Sequence, residues 1–221
     1  MNDWNPPQPP PGWQPPPGSG PDIGAALSYG WRKFQANLGQ VLAVVLVPVL
    51  VQLGLSVFAN TTVDSLAGVF VVQVLSFVVG AAAALGIYQT ALMITAGETP
   101  DLGKAFSSDR WGEWILFSIV FGLIIGAGAL LCGVGALIAV GLWGMSGFYL
   151  LDQRMGIGQA LRASFAATRA NVNLAVAVAV CVLVGVAGVV LCGIGYFVTA
   201  PIAYIAVAYL YRLTNGQPVA P

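Results

Sequence analysis

The fold of this chain is decided by residues 115–151, ILFSIVFGLIIGAGALLCGVGALIAVGLWGMSGFYLL, which contain no charged side chain. As one helix, this stretch would extend about 55 Å, nearly twice the roughly 30 Å thickness of the hydrocarbon core of a bilayer. Glycines interrupt it near its middle, at Cys132-Gly133-Val134-Gly135. The sequence therefore predicts two membrane spans that fold back on each other at this break.

Two other stretches have the same character. Residues 174–211 have nearly the same length and a matching break, Cys192-Gly193-Ile194-Gly195. Residues 41–96 contain two apolar runs separated by a polar turn at 59–65. The pattern predicts an all-α membrane protein with six transmembrane helices, arranged as three hairpins over about 41–96, 115–151 and 174–211.

All eight basic residues fall on one side of these six predicted spans. They are Arg32, Lys33, Lys104, Arg110, Arg154, Arg162, Arg169 and Arg212. Positive residues are retained on the cytoplasmic side during insertion. We therefore expect a multi-pass protein of the bacterial plasma membrane with both termini in the cytoplasm. A single helix over 115–151 would place Arg110 and Arg154 on opposite sides and break this rule.

The composition narrows the function classes. Hydrophobic residues make up 58% of the chain and charged residues only 7%, against about 25% charged residues in a soluble domain, so most of the surface must face lipid. The net charge of zero argues against a nucleic-acid partner. The chain has no histidine, and its three cysteines lack metal-ligand spacing. We expect no metal, no cofactor and no enzymatic activity.

Residues 1–21 have a different composition, with nine prolines, two tryptophans and no basic residue. Such a segment cannot form a packed core and is typical of a disordered cytoplasmic tail with polyproline II character. It could dock into an aromatic groove of a protein partner, or it could be a soluble spacer. The membrane domain then covers residues 22–215, and residues 216–221 form a short C-terminal tail.

A short motif occurs three times, each time before a predicted hairpin. Residues 22–27, 101–106 and 156–161 share an aliphatic residue, Gly, any residue, Ala, and then Leu or Phe. Apolar residues continue on one helical face in the first and third copies, with basic residues beside them. This pattern predicts three amphipathic helices in the membrane interface. Their expected interfacial anchors are Trp31, Phe34, Trp111, Trp114 and Phe165.

The repeated amphipathic helix and hairpin, the Asn at each helix junction and the Pro/Gly-rich tail resemble actinobacterial proline- and glycine-rich integral membrane proteins. They are also similar to bacterial membrane proteins of the type that includes the membrane domain of glycerophosphoryl diester phosphodiesterases. The resemblance covers about residues 22–215 and implies a helical membrane fold. It does not imply phosphodiesterase activity, which requires a separate domain with histidines and acidic metal ligands.

The predicted spans hold three glutamines, Gln52, Gln73 and Gln89, and no deeply placed carboxylate. A carboxylate in mid-membrane is usual in ion-coupled transporters, so its absence argues against that class. The glutamines could form hydrogen bonds between helices. They could instead line a polar path for a solute or a lipid head group.

Glycine and cysteine positions suggest two further contacts. Gly122 and Gly126 form a GxxxG motif, which allows close helix packing within the bundle or in a homodimer. Cys132 and Cys192 occupy equivalent predicted turns. They could form a disulfide on the outer side of the membrane, or simply be small residues at tight turns.

The sequence indicates a function only in outline. We expect a non-enzymatic integral membrane protein that contacts membrane lipids and acts as a scaffold, an adaptor or an envelope-associated interaction protein. The alternative is a small lipid or solute transporter, or a subunit of one. A transporter predicts a cavity between the repeats lined by the glutamines, whereas a scaffold predicts a packed bundle.

Overall fold

The computed structural model describes residues 21–62, 65–130, 133–190 and 195–221. The regular elements of these residues are all helical. They are α1 (Ile23–Ala36), α2 (Leu38–Thr62), α3 (Leu66–Ala96), α4 (Leu102–Phe106), α5 (Trp111–Ala129), α6 (Val134–Trp143), α7 (Ser146–Asp152), α8 (Ile157–Ala170), α9 (Val172–Ala187) and α10 (Tyr196–Thr214). A short 3-10 turn, Gly188–Val190, follows α9.

Five helical segments of the described chain are long and apolar enough to cross a membrane. They are α2, α3, α5, the combined segment Val134–Asp152 of α6 and α7, and α10. A sixth span is obtained if α8 and α9 count as one broken span, bent by 114°. The expected all-α fold is confirmed for the described residues, and these five or six apolar helices are consistent with a multi-pass membrane protein. The last predicted hairpin begins with a short helix, because α9 has only 16 residues, about 24 Å of helix.

Short polar side chains set the helix boundaries. Asp22 accepts hydrogen bonds from the backbone N–H groups of Gly24 and Ala25 and caps α1, and Asp101 caps α4 in the same way through Lys104 N. These bonds satisfy N–H groups that have no partner inside the helix. Helix α4, the middle copy of the repeated motif, has only five residues.

Helices that follow each other in sequence pack together, α2 on α3, α5 on α6, and α9 on α10. Helix α10 lies at the centre and also contacts α1, α3 and α2. Its residues from Ala200 to Tyr211 are buried with the exception of Tyr204 and Tyr209. The core continues into the second half of α3, where Leu85 and Ala91 are fully or almost fully buried.

Several glycines are required where helices approach closely. A Cβ atom on Gly30 of α1 would lie 2.6 Å from the carbonyl oxygen of Ile202 in α10. A Cβ on Gly128 of α5 would lie 2.6 Å from the backbone of Gly135 in α6. Since backbone cannot move aside as a flexible side chain can, these positions exclude larger residues. The close packing of small residues in membrane bundles therefore operates here at α1–α10 and α5–α6.

Gly122 and Gly126 do not take part in this packing. A Cβ atom on either glycine would meet nothing within 4 Å. The contact expected for them inside the bundle is therefore absent among the described residues. The reason is that the face of α5 that packs on α6 lies around Gly128, and the GxxxG pair faces outward.

Two of the five expected interfacial anchors are core residues. Phe34 and Trp114 are 2% and 1% exposed, and Trp114 Nε1 donates to the carbonyl oxygen of Ala81 at 2.8 Å. Trp114 fills space between α3 and α5, so it cannot reach lipid head groups. Trp31 is 46% exposed, and Trp111 and Phe165 are partly exposed.

The C-terminal part of α2 and the N-terminal half of α3 project from this core. Within residues 46–61 and 65–80, only Pro48 and Val72 are buried. Gln52 Nε2 donates to Ser76 Oγ at 3.1 Å and links the two helices there. We call these residues the distal segment. Its exposed side chains are almost all apolar, which is expected of a surface in contact with lipid or with another membrane chain.

Gly30→Ala should lower the free energy of unfolding by about 1–3 kcal/mol, because the added methyl group pushes α1 away from the backbone of α10. Gly122→Ala is the matched control, since it adds the same methyl to an open helix surface. It should be neutral or stabilising by up to about 1 kcal/mol. Denaturant titration of both variants in mixed micelles measures the difference. Equal stabilities would contradict the α1–α10 contact.

Candidate functional site

Polar side chains concentrate at one end of the bundle, where α3, α7 and α10 end and α5 begins. We call this region the polar end. The side chains that hydrogen-bond between different elements there include Thr95, Arg110, Tyr149, Asp152, Gln153, Tyr211, Arg212, Asn215 and Gln217. A compact polar layer of this kind could bind a soluble partner, a lipid head group or a solute.

Arg110, at the start of α5, holds the first part of this layer together. Its guanidinium donates to the carbonyl oxygens of Leu150 at 2.8 Å and Met155 at 3.0 Å, and it pairs with Glu113. The Arg110 side chain is only 14% exposed. Because hydrogen bonds from a charged donor are stronger than neutral ones, Arg110 fixes the end of α7 and the following loop against α5.

Asp152, the last residue of α7, connects that helix to α10. Its Oδ2 accepts hydrogen bonds from Tyr211 Oη at 2.7 Å and from Gln217 Nε2 at 2.9 Å. Asn215 Nδ2 donates to Tyr149 Oη at 3.2 Å one turn away. The ends of α7 and α10 are therefore joined by a network, which is more rigid than a single bond.

The residues after α10 fold back over the polar end. The N–H of Ala220 donates to the carbonyl oxygen of Thr95 at 3.0 Å, while Arg212 Nε donates to Thr95 Oγ1 at 2.9 Å. Tyr29 Oη donates to the carbonyl oxygen of Ala220 at 3.1 Å, and Lys33 Nζ donates to that of Pro221. Burial raises the pKa of Tyr29 to about 12, so its hydroxyl stays protonated and remains a donor at neutral pH.

An open cleft of about 560 Å³ lies beside this layer. Its polar lining is Gln89, Ser107, Ser108, Asp109, Arg110, Asp152 and Arg154, and its apolar lining is Leu92, Met93 and Leu151. Gln89 Nε2 donates to the carbonyl oxygen of Ser107 at 3.2 Å. Arg154 and Asp109 form an ion pair at its rim, where both side chains are more than half exposed. The cleft thus offers both signs of charge and an apolar wall.

A second cavity lies inside the bundle and is much smaller, about 90 Å³. Residues of α3, α5, α6, α9 and α10 surround it, and Tyr88, Tyr196 and Tyr204 are its tyrosines. Ligand sites usually measure about 300–1,000 Å³, so this space holds a few water molecules at most. It shares no lining residue with the cleft.

The three glutamines do not line a common path. Gln89 lies at the cleft, Gln52 bonds Ser76 between α2 and α3, and Gln73 is exposed on α3. The side chain of Gln73 has no hydrogen bond within the described residues. The glutamine-lined cavity that a transporter predicts is therefore not formed by this part of the chain.

The described residues include only one of the three cysteines. Cys132 and Cys192 lie outside the described residues, so their pairing stays a prediction. Cys181 is buried and free. Among the described residues, no group of three or more Cys, Asp or Glu side chains could hold a metal ion.

The polar network cannot be predicted from local spacing in the sequence. Thr95 and Arg212 are 117 residues apart in sequence, and Tyr211 and Asp152 are 59 apart, so no local spacing signals these contacts. In the sequence, Arg110 indicates only which side of the membrane its segment lies on. The available signal was weak: Asp152, Gln153 and Asn215 are polar residues placed just where long apolar runs end.

Comparison with protein-family models, with curated proteins and with solved structures finds no match to this chain.

Arg110→Ala should lower the free energy of unfolding by about 2 kcal/mol or more, because it removes two charged hydrogen bonds and leaves carbonyl groups without a donor. Arg154→Ala removes the other arginine of the cleft, but its exposed ion pair contributes only about 0–1 kcal/mol. Denaturant titration of both variants measures the loss of stability. In the Arg110→Ala variant, trypsin should also cleave faster after Arg154, because the loop after α7 is no longer held. Equal losses in both variants would contradict the structural role of Arg110.

Proposed function

We propose that this chain is a non-enzymatic integral membrane protein of the bacterial plasma membrane that acts as a scaffold or adaptor. The observation that carries the proposal is the construction of the polar end. Arg110, Asp152 and Arg212 tie the ends of α3, α7 and α10 and the start of α5 into one fixed surface, while the cavity that Tyr88, Tyr196 and Tyr204 line among the described residues is too small for a solute. A fixed surface suits docking of a partner better than it suits passage of a substrate.

The proposed topology has six spans in three hairpins, with both termini in the cytoplasm. The packing of α2 on α3, α5 on α6 and α9 on α10 supports the hairpins. Helices α1 and α8 each bury one face and expose basic residues, Arg32 in α1 and Arg162 and Arg169 in α8, while Lys33 of α1 is partly exposed. This arrangement supports a repeated unit of an amphipathic interfacial helix followed by a hairpin.

Residues 1–21 are the proposed site of partner capture. Their proline runs favour polyproline II, which aromatic grooves recognise at low entropic cost. Pro21 and Asp22 lie beside Asn173 and Val176 at the start of α9. A partner bound to the tail would therefore be held close to the α8–α9 junction, whose exposed face carries Arg169.

A second candidate function is lipid handling, as a small transporter or a subunit of one. The cleft favours it, because a volume of about 560 Å³ falls in the range of ligand sites. Its mixture of Arg154, Gln89 and apolar side chains suits a lipid with a charged head group. Contact with membrane lipids is common to both candidates.

Mass spectrometry of what co-purifies in mild detergent separates the two candidates. The adaptor predicts one protein, in constant ratio to the chain, that is lost on deletion of residues 1–21 and in the double variant Trp4→Ala, Trp13→Ala. The double variant Gln8→Ala, Gln14→Ala is the matched control and should retain it. A lipid held with and without the tail, and lost in Arg154→Ala, would favour lipid handling instead. The absence of both would contradict both functions.

A further inference from the structure

Gln73 is a polar side chain on a mostly apolar surface. It is an exposed side chain in the distal segment of α3, and no described group hydrogen-bonds its amide. It lies one helical turn from Ser76, which Gln52 contacts near the middle of α2. In the proposed topology that position is inside the hydrocarbon core, where an amide without a partner is costly. The distal segment therefore needs a hydrogen-bonding partner from outside the fold described above.

The neighbours of Gln73 form a continuous stripe on the same face of α3. The stripe consists of Leu66, Phe70, Gln73, Phe77 and Gly80, with alternating spacings of four and three residues. All five are exposed, Leu66 by 91% and Phe70 by 70%. This is the spacing of the contact positions in a coiled coil. It ends where Ala81 and Leu85 enter the core of the bundle.

The contact with α2 leaves this stripe open. Ser76 faces α2, since Gln52 donates to it, and the buried Val72 lies one turn before it on the same side of α3. Each stripe residue that follows them is turned by about 100° around the helix. Gly80 meets nothing within 4 Å, so a second helix can approach its backbone. The stripe thus combines large side chains, one glycine and one central amide, which is a complete surface for helix packing in a membrane.

The chemistry of the stripe identifies its partner. An amide carries both a donor and an acceptor, so two glutamines facing each other satisfy one another, and no charged group is needed. Two copies of one chain enter the membrane in the same orientation, which makes their α3 helices parallel. A two-fold axis along the membrane normal then brings Gln73 opposite Gln73 of the second copy, at equal depth.

We propose that this chain forms a parallel homodimer through the stripe of α3, with the two Gln73 side chains hydrogen-bonded to each other at its centre. Phe70 and Phe77 pack above and below this amide pair, and Gly80 allows the helices to approach. The interface differs from the outward GxxxG pair of α5 and is independent of any function at the polar end.

Disulfide cross-linking in lipid vesicles tests the register. Single cysteines are placed along residues 66–80 of full-length chains whose own cysteines are replaced by serine or alanine. Dimer bands should appear at 66, 70, 73, 77 and 80, and be weak at the neighbouring positions 71, 74 and 78. Cross-linking without this period, or none at any position, would overturn the proposal.

The amide pair is tested by association measured as energy transfer between labelled chains at decreasing protein-to-lipid ratio. Gln73→Leu should weaken association about three- to tenfold, and Gln73→Asn should restore most of it because the amide is retained. Val74→Leu, the matched control on the neighbouring exposed face, should have no effect. An unchanged dimer in Gln73→Leu would overturn the proposal, as would a dimer disrupted instead by Gly122→Leu, or monomers at every ratio.

Discussion

The hydrogen bonds from the end of α10, Tyr211 to Asp152 and Arg212 to Thr95, are the contacts on which the arrangement of the bundle depends. Lipid is as apolar as the side chains it surrounds, so burial of apolar surface does little to bring membrane helices together. Close packing and polar contacts must do so. Helix α10 supplies both, since its small residues meet α1 and α9 along its length and its end binds α7 and α3.

These contacts divide the molecule into two parts of different character. At the polar end, α3, α5, α7, α10 and the residues after α10 are cross-linked by charged and neutral hydrogen bonds, and local opening there requires many bonds to break together. The distal segment of α2 and α3 is held mainly by the contact of the two helices and by the bond from Gln52 to Ser76. This division supports the two kinds of contact proposed above, one with a soluble partner at the polar end and one within the bilayer at the distal segment.

The class of fold followed from the sequence because it rests on local quantities. Apolar length, the glycine breaks and the distribution of basic residues predict an all-helical membrane bundle. The side-chain environments did not follow. Trp114 is the type of residue expected at the membrane interface, but it fills the core. Gly122 and Gly126 have the spacing of a packing motif, but they face outward. Which face of a helix is buried depends on partners distant in sequence, and periodicity alone does not identify them.

In the proposed topology, one end of the bundle collects the ends of α3, α7 and α10 and the start of α5 on the cytoplasmic side. The most direct measurement is labelling of single cysteines at Ser107, Gln159, Thr214 and Asn60 with a membrane-impermeant maleimide, in right-side-out and inverted vesicles. The first three should react only in inverted vesicles, and Asn60 should react only in right-side-out vesicles. Reaction of Ser107, Gln159 or Thr214 from the outside would contradict it.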